Sequence, residues 1–235
     1  MQKIKTGIDG FDQLVFGGLP KGRTTLIAGE PGTGKTLFSL QYLLAGINDG
    51  ETVVFVTIDE QTSHILEDAR SLGWDLETHL KSGALKILDI TKYFSTPKQS
   101  ADEINFCQVV DDIIDYVTKE GATRLAIDPV APLIFSQTNI PDITEYIRHL
   151  ILRLESKANC TTLLTSYIPV GSIRYSQHGI EEFAASGIVL LKLVKLNNKY
   201  LRTIGVRKMR ASKVDLTEYN FEIITNRGIV LRQPI

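Results

Sequence analysis

Eight residues, Gly29-Glu30-Pro31-Gly32-Thr33-Gly34-Lys35-Thr36, combine a glycine-rich turn with a lysine and a hydroxyl in the Walker A spacing. That combination suits a polyphosphate. Successive backbone N–H groups of such a turn converge on phosphate oxygens, and the helix that follows points its positive end at them. Gly32 and Gly34 let the chain approach an anion where a Cβ would clash. Lys35 can reach the β- and γ-phosphates, and the Thr36 hydroxyl can complete the coordination of Mg²⁺. The contact segment therefore runs from Glu30 through Pro31, Gly32, Thr33, Gly34, Lys35 and Thr36 to Leu37. The competing reading is a glycine-rich turn that binds nothing.

A phosphate loop needs a partner carboxylate for the metal. Asp128 ends the apolar run RLAIDP, where a parallel strand would carry it to the phosphates, since ligands of such sheets bind beyond the carboxyl ends of strands. Asp128 is assigned to Mg²⁺; its alternative role is to cap a turn before Pro129. Asp59-Glu60 closes VVFVTIDE and should reach the same crevice, where a carboxylate could orient and deprotonate water. Adjacent acids also raise one another's pKa. The alternative is an acidic first turn of the next helix. Thr165 and Ser166, at the tip of CTTLLTSY, could sense a γ-phosphate or be a solvated strand end.

These residues need an alternating α/β frame. TTLIAG (24–29) reads as a buried strand, followed by a helix over 35–49 with Leu37, Leu40, Leu43, Leu44 and Ile47 on one face. Further strands are expected at 51–59, 85–90, 123–129 and 160–167, and helices at 63–73, 102–119 and 143–158. From Gly187 the alternation stops. GIVLLKLV, KYLRTIGVRKMR, NFEIIT and GIVLR are strand-like without intervening helices, and Asn197-Asn198 marks a hairpin. The expected fold is thus α/β, a mostly parallel central sheet with helices on both faces and an antiparallel C-terminal edge. The stretch 91–103 is the nearest thing to a linker, and one domain over 1–235 suffices.

Composition narrows the class. The chain has 235 residues, 43% hydrophobic and 23% charged, with a net charge of −1, so no overall basic field attracts nucleic acid. Cys107 and Cys160 lack metal-type spacing and point to a reducing, cytoplasmic setting. No apolar run is long enough for a membrane span, and no signal peptide is recognisable.

The stretch TGIDGFDQLVFGGLPKGRTTLIAGEPGTGKTLFSLQYLLAG resembles the RecA-superfamily ATPase domain of KaiC. FVTIDE, ARSLGWD, GIEEFAASGIVLL, KMRAS and NFEIITNRGIVL extend the likeness over essentially the whole chain. It implies a RecA-like P-loop fold, ATP or ADP as ligand, and a homo-oligomeric ring, usually a hexamer, with nucleotide between subunits. By the same resemblance Lys208-Met209-Arg210, with Ser212 nearby, reaches the neighbour's nucleotide, and Ser71 contacts it at the end of a helix. A cation supplied in trans neutralises charge on the transferred phosphate. Without a neighbour, Lys208 and Arg210 would instead be a solvated edge-strand face.

Departures from the family matter too. Asp59 stands where the family's first Glu serves as base, so turnover is expected to be slow or to rely on Glu60. Pro129 replaces the usual Ser after the metal-binding acid, and Val214 replaces a His. Glu182 and Phe183 occupy the positions of the Ser and Thr phosphoacceptors, and Ser176 and Ser186 are out of register, so a KaiC-type autokinase is not supported.

The leading expectation is an ATPase whose nucleotide-dependent ring regulates another, unidentified protein. A recombinase-like module is the alternative, its pore loops being 129–142 and 168–183, the latter carrying Arg174, Tyr175 and His178 for single-stranded nucleic acid. A nucleotide-gated scaffold with negligible turnover is the third.

Overall fold

The computed structural model describes residues 2–91, 106–134, 140–169, 174–176, 179 and 181–235. Most of the linker-like stretch 91–103, the start of the helix expected over 102–119, and His178 lie outside them. In chain order the elements are β1 (Lys3–Ile4), α1 (Phe11–Leu14), β2 (Leu19–Pro20), β3 (Thr24–Gly29), α2 (Lys35–Asn48), β4 (Val53–Thr57) and α3 (Thr62–Ser71). Then follow α4 (Leu76–Ser82), β5 (Leu85–Asp89), α5 (Phe106–Lys119), β6 (Arg124–Asp128), α6 (Ile140–Arg153) and β7 (Thr161–Tyr167). The chain ends with α7 (Glu181–Ala184), β8 (Gly187–Leu196), β9 (Lys199–Met209), β10 (Tyr219–Ile224) and β11 (Gly228–Pro234).

Nine strands form one sheet in the order β11-β10-β9-β8-β3-β7-β6-β4-β5. The six from β8 to β5 run parallel, and β9, β10 and β11 add an antiparallel edge. Residues of the central strands divide between two cores by the period-two alternation of a strand. Leu26, Val54, Leu125 and Leu164 pack under α5 and α6, while Ile27, Phe55, Ala126 and Leu163 pack under α2. Burial on both faces is why these strands read as continuous apolar runs.

Sequence patterning placed the long elements and missed the short ones. Asn197 and Asn198, at φ 46° and 62°, make the two-residue turn joining β8 to β9, which right-twisted strands prefer. Helix α4 was not expected. Its start is set by Asp75, whose carboxylate accepts from Thr78 N (3.1 Å), and its end by Gly83 at φ 80°, a signal too short for periodicity to register. The helix expected over 143–158 begins at 140 and gives way to a π-turn at Leu154–Ala158.

Beneath the sheet, at the amino ends of the parallel strands, Arg124 is 1% exposed. Its guanidinium bonds Glu51 Oε2 (2.7 Å), Asp49 Oδ2 (3.1 Å) and the Lys5 and Tyr42 carbonyls (2.8 and 3.0 Å). It also lies over the Tyr42 ring. This knot ties α2, β4 and β6 together at the end remote from the glycine-rich loop.

Candidate functional site

The loop follows β3 and opens α2. Gly32 and Gly34 have φ of 76° and 101°, values that favour glycine. A Cβ on Gly32 would meet no atom within 4 Å, whereas one on Gly29 would fall 2.4 Å from Leu191 O. One glycine thus opens space in the loop while the other permits tight sheet packing. Thr33 Oγ1 donates to Glu30 O (2.8 Å), closing the turn.

Lys35 is buried at the base of the loop. Its ammonium donates to Gly29 O (3.0 Å) and Glu30 O (2.9 Å). Burial lowers its pKa to about 8, partly opposed by the Asp128 charge. The Tyr167 ring lies 4.5 Å from Nζ.

Asp128 comes from β6, separated from β3 by β7, so it reaches the loop across one strand. It is 8% exposed. Thr165, on the intervening β7, donates to Asp128 Oδ1, and Thr36 also hydrogen-bonds the carboxylate. Burial raises the Asp128 pKa against these two donors and the Lys35 charge. The Asp128–Pro129 peptide bond is cis.

Asp59 and Glu60 follow β4, whose Thr57 pairs with Asp128 in register. Thr57 Oγ1 donates to Glu60 O (2.5 Å), holding the bend. Both carboxyls are pushed up: Asp59 by burial and then Asp128, and Glu60 by burial, then Asp68 and Asp128, with His64 opposing. Asp128 is thus the acid that acts both on the Lys35 ammonium and on the Asp59–Glu60 pair. Among the described residues no three His, Cys, Asp or Glu form a ready-made metal cage. The donors fit Mg²⁺ in another way: Thr36 and Asp128 could hold it while phosphate and water fill the remaining positions.

The two strand-tip hydroxyls, read as γ-phosphate sensors or a solvated strand end, are both buried. Thr165 is fully buried and spends its hydroxyl on Asp128. Ser166 is also fully buried, 3.5 Å from Glu181 Oε1. Tyr167, the next residue, faces the loop. Arg202 of β9 was likewise overlooked, although its Nε donates to Gly32 O (3.3 Å). Ile223 and Ile229 of the β10–β11 hairpin border Gly34. Asn226, in the turn between those strands, donates its N–H to Leu72 O (2.7 Å) and so joins the hairpin to the end of α3. Ser71 is exposed at that end, its hydroxyl on Asp68 O (2.7 Å), and Trp74 packs beside Gly228. Leu37 is half-buried in the core under α2.

Lys208 and Arg210 stand apart from all of this. Met209 pairs with Gly187, which pairs with Thr25 at the start of β3. Gly29 lies four residues further along the same strand, about 13 Å away at ~3.3 Å per residue. Lys208 Nζ bonds the Glu182 and Phe183 carbonyls (3.1 and 3.2 Å), and Arg210 bonds Phe183 O (3.3 Å). Phe183 is 72% exposed beside them. Arg23, Arg148, Arg210 and Phe183 help line a cavity of about 310 Å³ at this end. Met209 is buried against Gly187, so only its backbone is available to a ligand. The Ser212 hydroxyl receives Lys3 Nζ (2.6 Å) and lies 3.2 Å from Val15 O.

Of the residues singled out in the pore loops, Arg174 and Tyr175 are exposed, with the Arg207 guanidinium over the Tyr175 ring at 5.4 Å, and His178 lies outside the described residues. No described helix is long and apolar enough to cross a membrane.

Comparisons with known proteins point to one family. Residues 4–234 match the family described as ATPase: KaiC. The UPF0273 protein MJ1359 of Methanocaldococcus jannaschii is 33% identical over 98% of this chain and 96% of its own length. The circadian clock oscillator protein KaiC of Parathermosynechococcus lividus is 37% identical, but the chain spans only 42% of its length. Among solved structures, the KaiC-like protein PH0186 of Pyrococcus horikoshii OT3 superposes with a TM-score of 0.85 at 34% identity, covering 99% of both chains. With the sheet order, the phosphate loop and its partner carboxylate in place, the chain belongs to the KaiC ATPase family.

Proposed function

We propose that residues 1–235 act as one ATPase domain that binds Mg²⁺-ATP and hydrolyses it slowly within a homo-oligomeric ring. The observation that carries this reading is the separation of Lys208 and Arg210 from their own loop. Cations about 13 Å away along the strand cannot serve the phosphates of the same chain, but they can serve those of a neighbour. In this reading the loop N–H groups and Lys35 bind the β- and γ-phosphates, and Thr36 and Asp128 hold the metal, which supplies charge neutralisation. Asp59 or Glu60 takes a proton from the attacking water, and the neighbour's Lys208 and Arg210 stabilise charge on the transferred group. Ser71, Ile223 and Asn226 border the base. Nucleotide occupancy sets the ring state, and that state regulates a partner protein in the cytoplasm. Glu182 and Phe183 offer no acceptor hydroxyl, so autophosphorylation of the KaiC kind is not part of the function.

Mixing two damaged chains tests this directly. Lys35→Met lacks the loop cation, and Lys208→Ala/Arg210→Ala lacks the trans cations; each alone should release phosphate at background rate. Random co-assembly creates intact interfaces at about a quarter of the sites, so activity should return to that order. Parental activity in the Lys208→Ala/Arg210→Ala chain alone would sink the reading. A parent that binds nucleotide and assembles, yet releases no phosphate, would be a gated scaffold instead.

A further inference from the structure

We infer that Tyr167 is the residue by which this chain distinguishes a nucleoside triphosphate from the diphosphate, its phenol donating to the terminal phosphate. The inference deepens the proposed function and rests on it.

Position comes first. Tyr167 pairs with Gly29 in the β3–β7 register, and the neighbouring Ile168 N donates to Gly29 O (3.1 Å). The side chain is therefore anchored at the point where the loop leaves the sheet. Strand alternation puts it on the same face as Thr165, one pleat further out. Thr165 reaches Asp128 on that face, so Tyr167 occupies the next level above the carboxylate.

Chemistry comes second. The ring covers the Lys35 ammonium at 4.5 Å, a favourable approach of a cation to a π-face. Burial, then the charges of Asp128, Asp59 and Glu60, raise the phenol pKa, so it keeps the proton it would donate. The phenol makes no hydrogen bond to any described residue and stays 37% exposed. The ring thus covers the loop lysine while the partly exposed hydroxyl remains unused as a donor among the described residues.

Two substitutions separate ring from hydroxyl. Tyr167→Phe keeps the ring on Lys35 and removes only the donor; Tyr167→Leu removes both. Affinities for ADP and for a non-hydrolysable ATP analogue, at fixed Mg²⁺, are measured by calorimetry, with a thermal melt confirming that each variant is folded. Tyr167→Phe should weaken the triphosphate analogue about tenfold or more, as expected for one hydrogen bond to a charged group, and change ADP by less than about threefold. Tyr167→Leu should weaken both ligands, because the lysine loses its support. Parental affinity of Tyr167→Phe for both nucleotides, or an equal loss for both, overturns the inference alone. A parent that binds neither nucleotide overturns the proposed function and this inference with it.

Discussion

Thr165 reaches from β7 to donate its hydroxyl to the Asp128 carboxylate on β6. One oxygen of the acid is thereby held by a neutral donor from the intervening strand, and Thr36 approaches from the helix after the loop. The carboxylate is aimed while its charge is left for a cation.

That charge destabilises the empty protein. In the folded chain the Asp128 pKa lies above its ordinary value of 3.8 because the group is buried. Below 3.8 both states are protonated. As pH rises from there through the raised value, the unfolded chain loses the proton first, so stability falls. Asp128→Asn keeps an acceptor for Thr165 and removes the charge. At pH 7 without Mg²⁺ its Tm should rise by roughly 2–4 °C, the shift that about 1 kcal/mol gives a chain of this size, while Mg²⁺-dependent nucleotide affinity falls at least about tenfold. An unchanged or lower Tm in differential scanning would contradict it.

Lys35 runs the other way. Its folded pKa of about 8 is depressed from 10.5, so between those values the native chain has shed a proton that the unfolded chain retains. Stability of the empty protein should rise with pH across that window. Phosphate binding needs the ammonium, so affinity should decline above pH 8, by up to about tenfold per pH unit. Lys35→Met should bind about 10- to 100-fold more weakly at pH 7 and lose the alkaline decline. Nucleotide titrations from pH 7 to 9.5 read both effects.

The acidic pair can be resolved by rate. Asp59→Asn and Glu60→Gln remove one charge each from carboxyls that burial and Asp128 both push up. The residue that takes the proton from water should cost about 10²- to 10⁴-fold in phosphate release, the range for general base catalysis, with little change in nucleotide affinity. The other should cost under about tenfold. Comparable small losses for both would remove each of them as the base.

Remote from the loop, Arg124→Met strips the cation from a knot in which Glu51 is half-buried and held below its usual carboxylate pKa by Arg124 and Thr123. Glu51 and Asp49 keep contact with solvent, so removing the cation should cost about 1–3 kcal/mol. Urea unfolding should show that loss with an unchanged m-value. A loss below about 1 kcal/mol would mean the knot contributes little.

The phosphate loop was legible in the sequence because its chemistry is local: Gly32, Gly34, Lys35 and Thr36 act from adjacent positions. Asp128 was legible because an apolar run ending in an acid fixes both its strand and its tip. Tyr167 and Arg202 were not, since their place beside the loop depends on the β3–β7 pairing and on how the late hairpin lies against the loop. Thr165 and Ser166 were recognised as strand-tip hydroxyls, but their burial and the Thr165 bond to Asp128 depend on the sheet and helices around them, which local sequence does not carry. Lys208 and Arg210 were singled out by the family resemblance alone; that they lie far from their own loop is visible only in the strand register.

That register also gives the molecule a direction. In the proposed ring, with the anion receptor at one end of the strands and the counter-charges at the other, each copy would lend its cations to one neighbour and its loop to the other, in single file, like arrows. A subunit blunted at either end would then damage only one of its two neighbours, and a pinch of defective chain would poison the procession one junction at a time.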